Sequence, residues 1–481
     1  MDIITLLQNF VSGLLAAEEN FYENPDRFDV FEKTVADLSG RTAADFLSMA
    51  LSQADSMICE SGLRKKNYNI HRHDGRTLIT TVGDVTFTHT LFKSRGDGGF
   101  RYLLDDMMHL PGHERFSEHA EAKALLEAEA HSYQHAADSL NTGGQTVSKT
   151  AVMGKVHGIC AELPPEPERD VKKQCEYLYI EADEDHIHAQ KNRDGKSGMM
   201  GKLVYVFEGK HDVCGGRREL VSTHYLGGLY QGPGGNGRLW REVQEYIRRN
   251  YDGDALKRVY ISGDGGAWIK AGVDYVDKSV LVADRFHLMK YINRASGCVP
   301  DDADGVKGEF YRSIRRNDPE GLEGLLERIR ESCDGSDAAV EECGTYLRSN
   351  WDAIRRAFGD PNVIGCSAEG HVSSVLSERM SSRPMGWSET GSDRMCRLRC
   401  YVRNEGNDGV IDLVRYRREK EYEERHASAT GTDGIISGSE PKRRYSRGQM
   451  ESQKYFDVLQ ASIGGNTVRK TLAIRRHLNE L

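Results

Sequence analysis

Two aspartates stand at the ends of mostly apolar segments. Asp183 follows the run YLYIEA, and Asp264 follows RVYISG and precedes two glycines. A carboxylate in such surroundings costs free energy unless something pairs with it, and ligands gather at the strand ends of α/β sheets. Two carboxylates on adjacent strand ends can hold Mg²⁺ and leave positions open for phosphate and water. A strand-end aspartate is also an ordinary turn former, but two in one α/β unit favour a metal site.

Phosphoryl transfer with two metal ions requires at least a third acid, because two divalent ions need more compensating charge. Glu369, in the segment GCSAEGHVSSVL, is the candidate, and Glu378 and Glu389 are its rivals. By position alone, Glu369 is a first-turn glutamate that the helix dipole favours. The first acid also has a rival, since Asp185 lies on the same strand face as Asp183 at period two.

Several histidines raise the alternative of a zinc site. No HExxH or similar spacing supports one, so packing or hydrogen bonding is the preferred interpretation. The glycine-rich run GGLYQGPGGNGR is predicted to be a loop, because no Gly-Lys-Ser/Thr of a phosphate loop follows it. The histidines considered are His186, His188, His287 and His371.

The spacing of apolar residues predicts the elements that position these side chains. Helices are expected to about residue 65, then a β-hairpin around Gly83 and a strand and turn in YLLDDMMHLPGHERFS. Beyond the linker AELPPEPERD, three strands, a helix, a strand, a helix and a strand form an α/β pattern. A helical block follows, and the polar stretch YRREKEYEERHASATGTDGIISGSEPKRRY is predicted to be a flexible tail before a final helix.

The segment SYQHAADSLNTGGQTVSKTAVMGKVHGI outlines two short helices around a glycine-containing turn. This is the pattern of a helix-turn-helix near 131–158, although any helical hairpin looks similar. The second helix, beginning near Thr146, would offer polar side chains to a DNA groove. Those side chains are Gln145, Thr146, Ser148, Lys149 and Lys155.

Composition excludes several classes of protein. With 38% hydrophobic and 29% charged residues, and no apolar run of about 18, the chain is expected to be globular and not to span a membrane. The N-terminal segment lacks the features of a signal peptide, and the ten cysteines form no CxxC pair, so a reducing cytoplasm is expected. From Arg379 onward, 20 basic and 14 acidic residues give +6, against −9 overall and −15 before it. This asymmetry hints at a polyanionic partner, although a solvated helical surface would look the same.

Four strings carry a family resemblance: YLYIEADEDHIH, VYISGDGGAWIKAG, VADRFHLMKYI and CSAEGHVSSVLSERMSSRPMGWS. In this order they closely resemble the ISLre-type bacterial insertion-sequence transposases, with similarity from about residue 70 to 480. More distantly, the pattern is similar to Mutator-type transposases, which have a DDE catalytic domain of ribonuclease H-like fold.

The resemblance implies a role for each matching residue. Asp183 would be the first acid, on the first strand of the core, and Asp264 the second, on the fourth strand. Glu369 would be the third acid, beyond an all-helical insertion, and the three would bind Mg²⁺, with Mn²⁺ as a substitute. Asp284 and His287 match the (C/D)xxH element of Mutator-like relatives, with Asp in place of Cys, in a supporting role.

The implied fold is an α/β catalytic core with a ribonuclease H-like mixed sheet and a helical insertion, after an N-terminal α+β region with a helix-turn-helix. The predicted regions are 1–65 (helical), 66–117 (β-rich), 118–160 (helix-turn-helix), 174–285 and 361–400 (two parts of the core), 286–360 (helical insertion) and 401–481 (basic helical tail). Beside this core, a group of arginines is expected to contact DNA phosphates, a source of affinity that does not depend on sequence. They are Arg379, Arg383, Arg394, Arg397 and Arg399.

The implied activity is DNA transposition, with cleavage at the element's ends followed by strand transfer. The expected partners are the terminal inverted repeats, target DNA and further copies of the chain, with no membrane partner and a nucleoid-associated location. A metal-dependent nuclease without strand transfer would use the same acids. A non-catalytic DNA-binding protein would keep the helix-turn-helix and the basic region.

Overall fold

The computed structural model describes most of the chain. The described residues are 3–141, 146–165, 168–190, 198–213, 217–333, 337–383 and 385–429. They form two compact units, each assembled from separated stretches of the chain. Unit 1 comprises Met1–Ala124, Ala136–Lys149 and Val414–Leu481, and unit 2 comprises Leu125–His135 and Thr150–Leu413.

Unit 1 begins with helices and a small antiparallel sheet. The first elements are α1 (Ile3–Glu23), α2 (Phe28–Glu60), α3 (Gly62–Asn67), β1 (Tyr68–Thr80), β2 (Gly83–Ser94), β3 (Phe100–Tyr102), α4 (Leu103–Met107) and α5 (Glu118–Ala130). The predicted N-terminal helices and the hairpin around Gly83 are confirmed, with Thr80 paired to Gly83 across the turn. Ile58 of α2 and Phe92 of β2 are fully buried in the core between helix and sheet.

The strand predicted in YLLDDMM is wrong beyond Tyr102, because Leu103–Met107 forms helix α4. A helical turn buries Leu103 and Leu104 together, whereas a strand would point them to opposite faces. It also places the buried Asp105 carboxylate 2.6 Å from Arg76. Local packing therefore overrides the strand prediction.

The C-terminal part of unit 1 is held by charged side chains. Helix α16 (Glu389–Ala429), interrupted at Gly406 where φ is 71°, continues through much of the segment predicted to be flexible. Within it, Arg417 and Arg418 lie 2.7 and 3.0 Å from the Glu121 carboxylate, which is 1% exposed. Since a buried carboxylate requires such partners, the flexible-tail prediction is wrong up to Ala429. The remainder of that prediction, and the final helix, lie outside the described residues.

Unit 2 is built around a mixed sheet. Its remaining elements, in chain order, are α6 (Tyr133–Asp138), α7 (Lys149–His157), β4 (Tyr177–His188), β5 (Gly198–Phe207), β6 (Gly209–Val213), β7 (Arg217–Val221), β8 (His224–Gly228), α8 (Gly235–Asn250), β9 (Arg258–Gly263), α9 (Ala267–Lys270), β10 (Ser279–Ala283), α10 (Arg285–Ser296), α11 (Ala303–Arg316), α12 (Pro319–Glu331), α13 (Ala338–Gly359), α14 (Ala368–Val372) and α15 (Glu378–Met380). Helices α5, α6, α7 and α16 each have residues in both units.

The sheet has the strand order β10-β9-β4-β5-β8. β4, β9 and β10 are parallel, and β5 is antiparallel to both β4 and β8. The predicted mixed α/β sheet is confirmed, but the third predicted strand, ELVSTHYLGGLY, is two strands. The extended conformation is interrupted at Ser222, where φ is 54°. As a result β7 pairs with β6, and only β8 joins the five-stranded sheet.

Buried hydrophobic cores lie both on the sheet and within the helical block of unit 2. Trp240 and Val243 of the amphipathic helix α8 pack on Ile180 and Val206 of the sheet, and all four are fully buried. Helices α10 to α13 bury a second core of their own, so the predicted helical block is confirmed. No described helix is long and apolar enough to cross a membrane.

The helix-turn-helix stays a prediction. Helix α7 begins at Lys149, three residues after the predicted start at Thr146. Thr146, Ser148 and Lys149 are exposed, as groove contacts would require. Gln145 and the predicted turn, 142–145, lie outside the described residues.

Candidate active site

Asp183 and Asp264 lie together at neighbouring strands. The parallel register of β4 and β9 pairs Glu181 with Ser262, and each aspartate follows two residues later. The two carboxylates therefore lie at the same level of the sheet. The Asp264 carboxylate accepts a hydrogen bond of 2.8 Å from the backbone N–H of Gly266, and the Asp183 carboxylate accepts one of 2.8 Å from Glu184.

The electrostatics of this pair favour a bound cation. The pKa of Asp183 is raised to about 6, chiefly by burial and also by the neighbouring Asp264 charge, while the hydrogen bond from the Glu184 backbone and the charge of His287 lower it. A carboxylate with a raised pKa beside a second one is what like charges in a partly desolvated site produce. A divalent ion between them would neutralise this repulsion, so the residues fit a hard cation with oxygen ligands.

Asp284 and His287 form a hydrogen-bonded pair. Asp284 follows β10 and caps helix α10, accepting from the backbone N–H of Phe286 at 2.9 Å. Its second oxygen lies 2.9 Å from Nδ1 of His287. This hydrogen bond raises the pKa of His287, which burial lowers in part and the charges of Asp264 and Asp183 raise again. The structure thus brings the two supporting residues together, beside the two aspartates.

A further acid near Asp264 is Glu184, which the sequence interpretation missed. Burial and the Asp264 charge raise the pKa of Glu184, while Lys202 lowers it. Lys202 lies directly across the antiparallel β4–β5 register from Glu184, and its ammonium stands 5.3 Å from the ring centre of Trp268. Asp183 and Asp185, the two candidates for the first acid, are two positions apart and therefore share one strand face. Glu184 lies between them and points to the other face, so it was not considered.

Helix α13 of the insertion supports the loop after β9. Gly265 has φ of 90°, and a Cβ there would lie 2.6 Å from the amide oxygen of the buried Asn350. One turn earlier on α13, the hydroxyl of Tyr346 is buried, and no described group hydrogen-bonds it. Burial and the charges of Asp284 and Asp264 raise the pKa of Tyr346. The insertion therefore contributes side chains to the acidic site.

Glu369 lies on α14, which packs against β4. Its side chain is exposed, and among the described residues it makes no hydrogen bond or ion pair. The segment entering α14 is fixed by Glu181, which accepts from the backbone N–H and hydroxyl of Ser367 at 2.7 and 3.0 Å. The structure thus brings the third acid to the strand that carries Asp183 without a direct contact between the two.

The rivals of these acids have other contacts. Asp185 is buried, with one oxygen accepting from the Ser381 hydroxyl at 2.9 Å. Glu378 is 66% exposed and stands 3.8 Å from Arg399, and Glu389 is exposed in the first turn of α16. The Asp264 charge acts on Asp183 and on Glu184.

The arginine prediction is corrected for three of its five members. Arg379, Arg397 and Arg399 are 2%, 8% and 3% exposed. Arg379 donates to the Ala128 carbonyl at 3.1 Å and stacks over Trp387, and Arg397 pairs with Asp393 at 3.2 Å. Their guanidinium groups are occupied inside unit 2, so they cannot contact DNA phosphates in this structure.

Arg399 has a structural role of its own. It lies 2.8 Å from the Glu129 carboxylate and donates to the carbonyls of Ser374 and Val375. Those carbonyls belong to the π-helical turn Ser373–Ser377 that follows α14. Arg399 therefore supports the turn next to Glu369. Arg383 and Arg394 are half-buried; Arg383 donates to the Ala130 carbonyl at 3.4 Å, and Arg394 pairs with Asp393 at 2.5 Å. Their contact with DNA stays a prediction.

The zinc alternative at the first acid is not supported among the described residues. His371 hydrogen-bonds the Tyr225 hydroxyl at 2.8 Å and His287 pairs with Asp284, while His186 and His188 are exposed on β4. In the part of the chain that the structure describes, groups of metal-ligand atoms within 4.8 Å of one another occur elsewhere. They are Asp55, Cys59 and His73, and Glu127, His131 and His135. The three predicted catalytic acids do not form such a group.

The protein is thus of the mixed α/β class. Its candidate site is rich in carboxylates, with Asp183 and Asp264 on adjacent parallel strands beside the hydrogen-bonded pair of Asp284 and His287. The profile of the uncharacterised protein family UPF0236 matches residues 24–419, and the chain belongs to this family. Relatives come from Caldanaerobacter subterraneus subsp. tengcongensis. One, whose name joins eleven locus designations beginning with TTE0033, is 32% identical over 83% of both chains. Another, UPF0236 protein TTE2489, is 33% identical over 78% of both chains.

A solved structure is also similar in part. The Drosophila P element transposase strand transfer complex aligns with 75% of this chain and 90% of its own, at 11% identity and a TM-score of 0.19.

Proposed function

We propose that the protein is a DDE-type DNA transposase with a ribonuclease H-like core. The observation that carries the proposal is the adjacency of Asp183 and Asp264 on the parallel strands β4 and β9. Along the chain, the strands of the sheet are β4, β5, β8, β9 and β10. Asp183 lies on the first and Asp264 directly follows the fourth, as the transposase resemblance implies for its first two acids.

The other parts of the chain agree with this assignment. The helical insertion α10–α13 stands between the second acid and Glu369, and Asp284 and His287 are paired. A relative named for eleven loci would carry such a name if its gene were repeated in one genome. Repetition within a genome is typical of a gene that moves.

Asp183, Asp264 and Glu369 would hold Mg²⁺, or Mn²⁺ in its place, and metal bound there supplies charge neutralisation at the phosphate. In the first step a water oxygen bonds to phosphorus at the element's end, the P–O3′ bond breaks, and a 3′-hydroxyl is released. In the second step this hydroxyl bonds to a target phosphorus and displaces the target's own 3′-oxygen. No covalent intermediate with the protein is needed.

The chain's own residues orient these steps. His287, held by Asp284, would donate a hydrogen bond toward the negative charge of the site, and the Gly265 turn lets the backbone approach the phosphate closely. Arg383, Arg394 and the residues Gln145, Thr146, Ser148 and Lys149 would contact DNA. Bringing two element ends together requires at least two copies of the chain.

Strand transfer in vitro tests the proposal. The donor is a pre-cleaved duplex with the repeats that flank the gene, and the target is supercoiled plasmid with Mg²⁺ or Mn²⁺. We expect joined products from the wild type and none from Asp183→Asn, Asp264→Asn or Glu369→Gln. The matched controls Asp185→Asn and Glu378→Gln should retain joining.

Other outcomes would replace the proposal. Cleavage without joining would indicate a nuclease, and repeat binding without chemistry under either metal would indicate a DNA-binding protein. Activity retained only in Glu369→Gln would move the third acid to Glu378, Glu389 or the newly recognised Glu184.

A further inference from the structure

Three potential metal ligands converge in unit 1. Asp55 and Cys59 lie one turn apart on α2, and His73 lies on β1, with one ligand atom from each within 4.8 Å of the others. The three supply oxygen, sulfur and nitrogen. Such a mixed set suits zinc, a borderline ion that binds thiolate, imidazole and carboxylate alike.

The Asp55 carboxylate is buried without a cation. It is 2% exposed and accepts hydrogen bonds from the backbone N–H and hydroxyl of Thr90 at 2.8 and 2.6 Å. Among the described residues, no lysine or arginine forms an ion pair with it, and Arg64 donates to the Cys59 carbonyl instead. Because an unpaired buried charge is costly, this carboxylate calls for a bound cation.

The Thr90 hydroxyl gathers the three ligands. Besides donating to Asp55, it contacts Nδ1 of His73 at 2.8 Å and accepts from the Cys59 thiol at 3.3 Å. The hydrogen bonds to Asp55 and His73 would orient these two ligands of a metal, and the one from the thiol would be given up when the sulfur binds the ion. Thr90 itself is fully buried, so the arrangement is held by the core of the hairpin.

A cavity opens beside the cluster. It has a volume of about 260 Å³ and is lined by the three ligands together with polar residues. The polar residues are Ser52, Ser56, Glu60 and Thr88. A tetrahedral ion needs its ligands about 3.5 Å apart, and the Cys59 sulfur already stands 3.9 Å from the Asp55 carboxylate. The cavity leaves room for a fourth, water ligand.

We propose that Asp55, Cys59 and His73 form a zinc site that links helix α2 to the β1–β2 hairpin. On binding, the Cys59 S–H bond breaks, its proton passes to solvent, and the sulfur lone pair bonds to the ion. The site lies in unit 1, whereas the proposed catalytic acids lie in unit 2. It therefore stands or falls independently of the transposase proposal.

Cobalt titration of the full chain tests the site, because Co²⁺ bound to a thiolate absorbs by sulfur-to-metal charge transfer. After removal of metal with a chelator, we expect this absorption to saturate at one equivalent and to be displaced by Zn²⁺. Cys59→Ser should abolish it, and His73→Ala should weaken Co²⁺ affinity by at least about tenfold. The controls Cys160→Ser and His71→Ala, a cysteine elsewhere and an exposed histidine on the same strand, should behave as wild type.

The absorption spectrum distinguishes cobalt at the proposed site from cobalt at the second metal-ligand group. Glu127, His131 and His135 contain no sulfur, so cobalt bound there cannot produce the thiolate absorption. His131→Ala should leave the absorption unchanged. No thiolate absorption in the wild type, or the same absorption in Cys59→Ser, would overturn the proposal. If Cys59→Ser does not fold, unchanged Co²⁺ affinity in His73→Ala, where the altered side chain is exposed, would overturn it equally.

Discussion

The buried carboxylate of Glu181 binds both the backbone N–H and the hydroxyl of Ser367, a residue 186 positions later in the chain. Lys210 adds a third contact, 3.3 Å from the same carboxylate. The start of α14 is thereby fixed to the strand that carries Asp183. Glu369 follows two residues after Ser367, so this contact sets where the third predicted acid can lie.

Removal of Arg399 should destabilise unit 2 strongly. In Arg399→Ala the half-buried Glu129 carboxylate and the carbonyls of the π-helical turn lose their donor, and we expect the free energy of unfolding to fall by about 3 to 5 kcal/mol. Urea unfolding measures this loss. Arg403→Ala is the matched control, since Arg403 reaches the same Ser374 carbonyl at 3.3 Å from an exposed position and should cost less than about 1 kcal/mol. An Arg399→Ala protein as stable as the control would contradict the assigned role.

Alanine at Gly265 should be costly for two separable reasons. The positive φ strains any L residue, and the new Cβ would meet Asn350. We expect a loss of about 1 to 3 kcal/mol from the strain alone and a further loss from the collision. Gly232→Ala shares the positive φ but has no atom within 4 Å, so it isolates the strain.

Combining Gly265→Ala with Asn350→Ala measures the collision directly. The double variant should lose less stability than the sum of the two single variants, because the side chain that collides is gone. Strict additivity in this cycle would show that α13 does not support the loop after β9.

The raised pKa of Asp183 predicts an unusual pH dependence. Its folded-state pKa of about 6 exceeds the ordinary 3.8, so the folded protein binds more protons between these values. The resulting contribution to the free energy of unfolding is fully present below the ordinary pKa of 3.8 and is lost as the pH rises through about 6. Asp183→Asn should therefore raise the free energy of unfolding of metal-free protein at pH 7.5 by about 1 to 2 kcal/mol, discounted for partial exposure.

With Mg²⁺ present, wild type should instead become more stable than Asp183→Asn. Wild type gains stability from bound ion at pH 7.5, whereas Asp183→Asn lacks a ligand and gains little. Thermal unfolding with and without Mg²⁺ measures both effects. Asp185→Asn should respond to Mg²⁺ as wild type does, because Asp185 is bound to Ser381 instead. Equal Mg²⁺ responses in all three proteins would remove Asp183 from the metal site.

DNA affinity should depend on Arg383 and Arg394. Each contact to a phosphate contributes about 0.9 to the slope of log affinity against log salt, so Arg383→Ala and Arg394→Ala should each lower that slope by about this amount. Fluorescence anisotropy with labelled duplex at several salt concentrations measures it. Arg315→Ala, an exposed arginine on α11, should leave the slope unchanged. If Arg383→Ala and Arg394→Ala also leave the slope unchanged, these two arginines do not contact DNA phosphates.

The sequence predicted those parts of the site that depend on local pattern. Asp183 and Asp264 were found because apolar runs precede them. Asp284 and His287 were expected only from the transposase resemblance, and they meet because a residue three positions past a helix cap faces the cap. The burial of Arg379 and Arg399 could not be predicted in this way. Most of their partners are backbone carbonyls, which carry no side-chain signal, and the Glu129 carboxylate that pairs with Arg399 lies 270 positions away.

The pairing of Glu121 with Arg417 and Arg418 determines when unit 1 can be completed during synthesis of the chain. Residues 121 and 417 are 296 positions apart, and a ribosome adding about 5 to 20 residues per second takes roughly 15 to 60 seconds to cover that distance. During this interval the glutamate lacks both arginines, so unit 1 is completed only after all of unit 2 has been made. A chain that ends before residue 417 would keep the buried Glu121 carboxylate without these partners. Unit 1 can therefore form its complete set of buried ion pairs only in a chain that extends past Arg418.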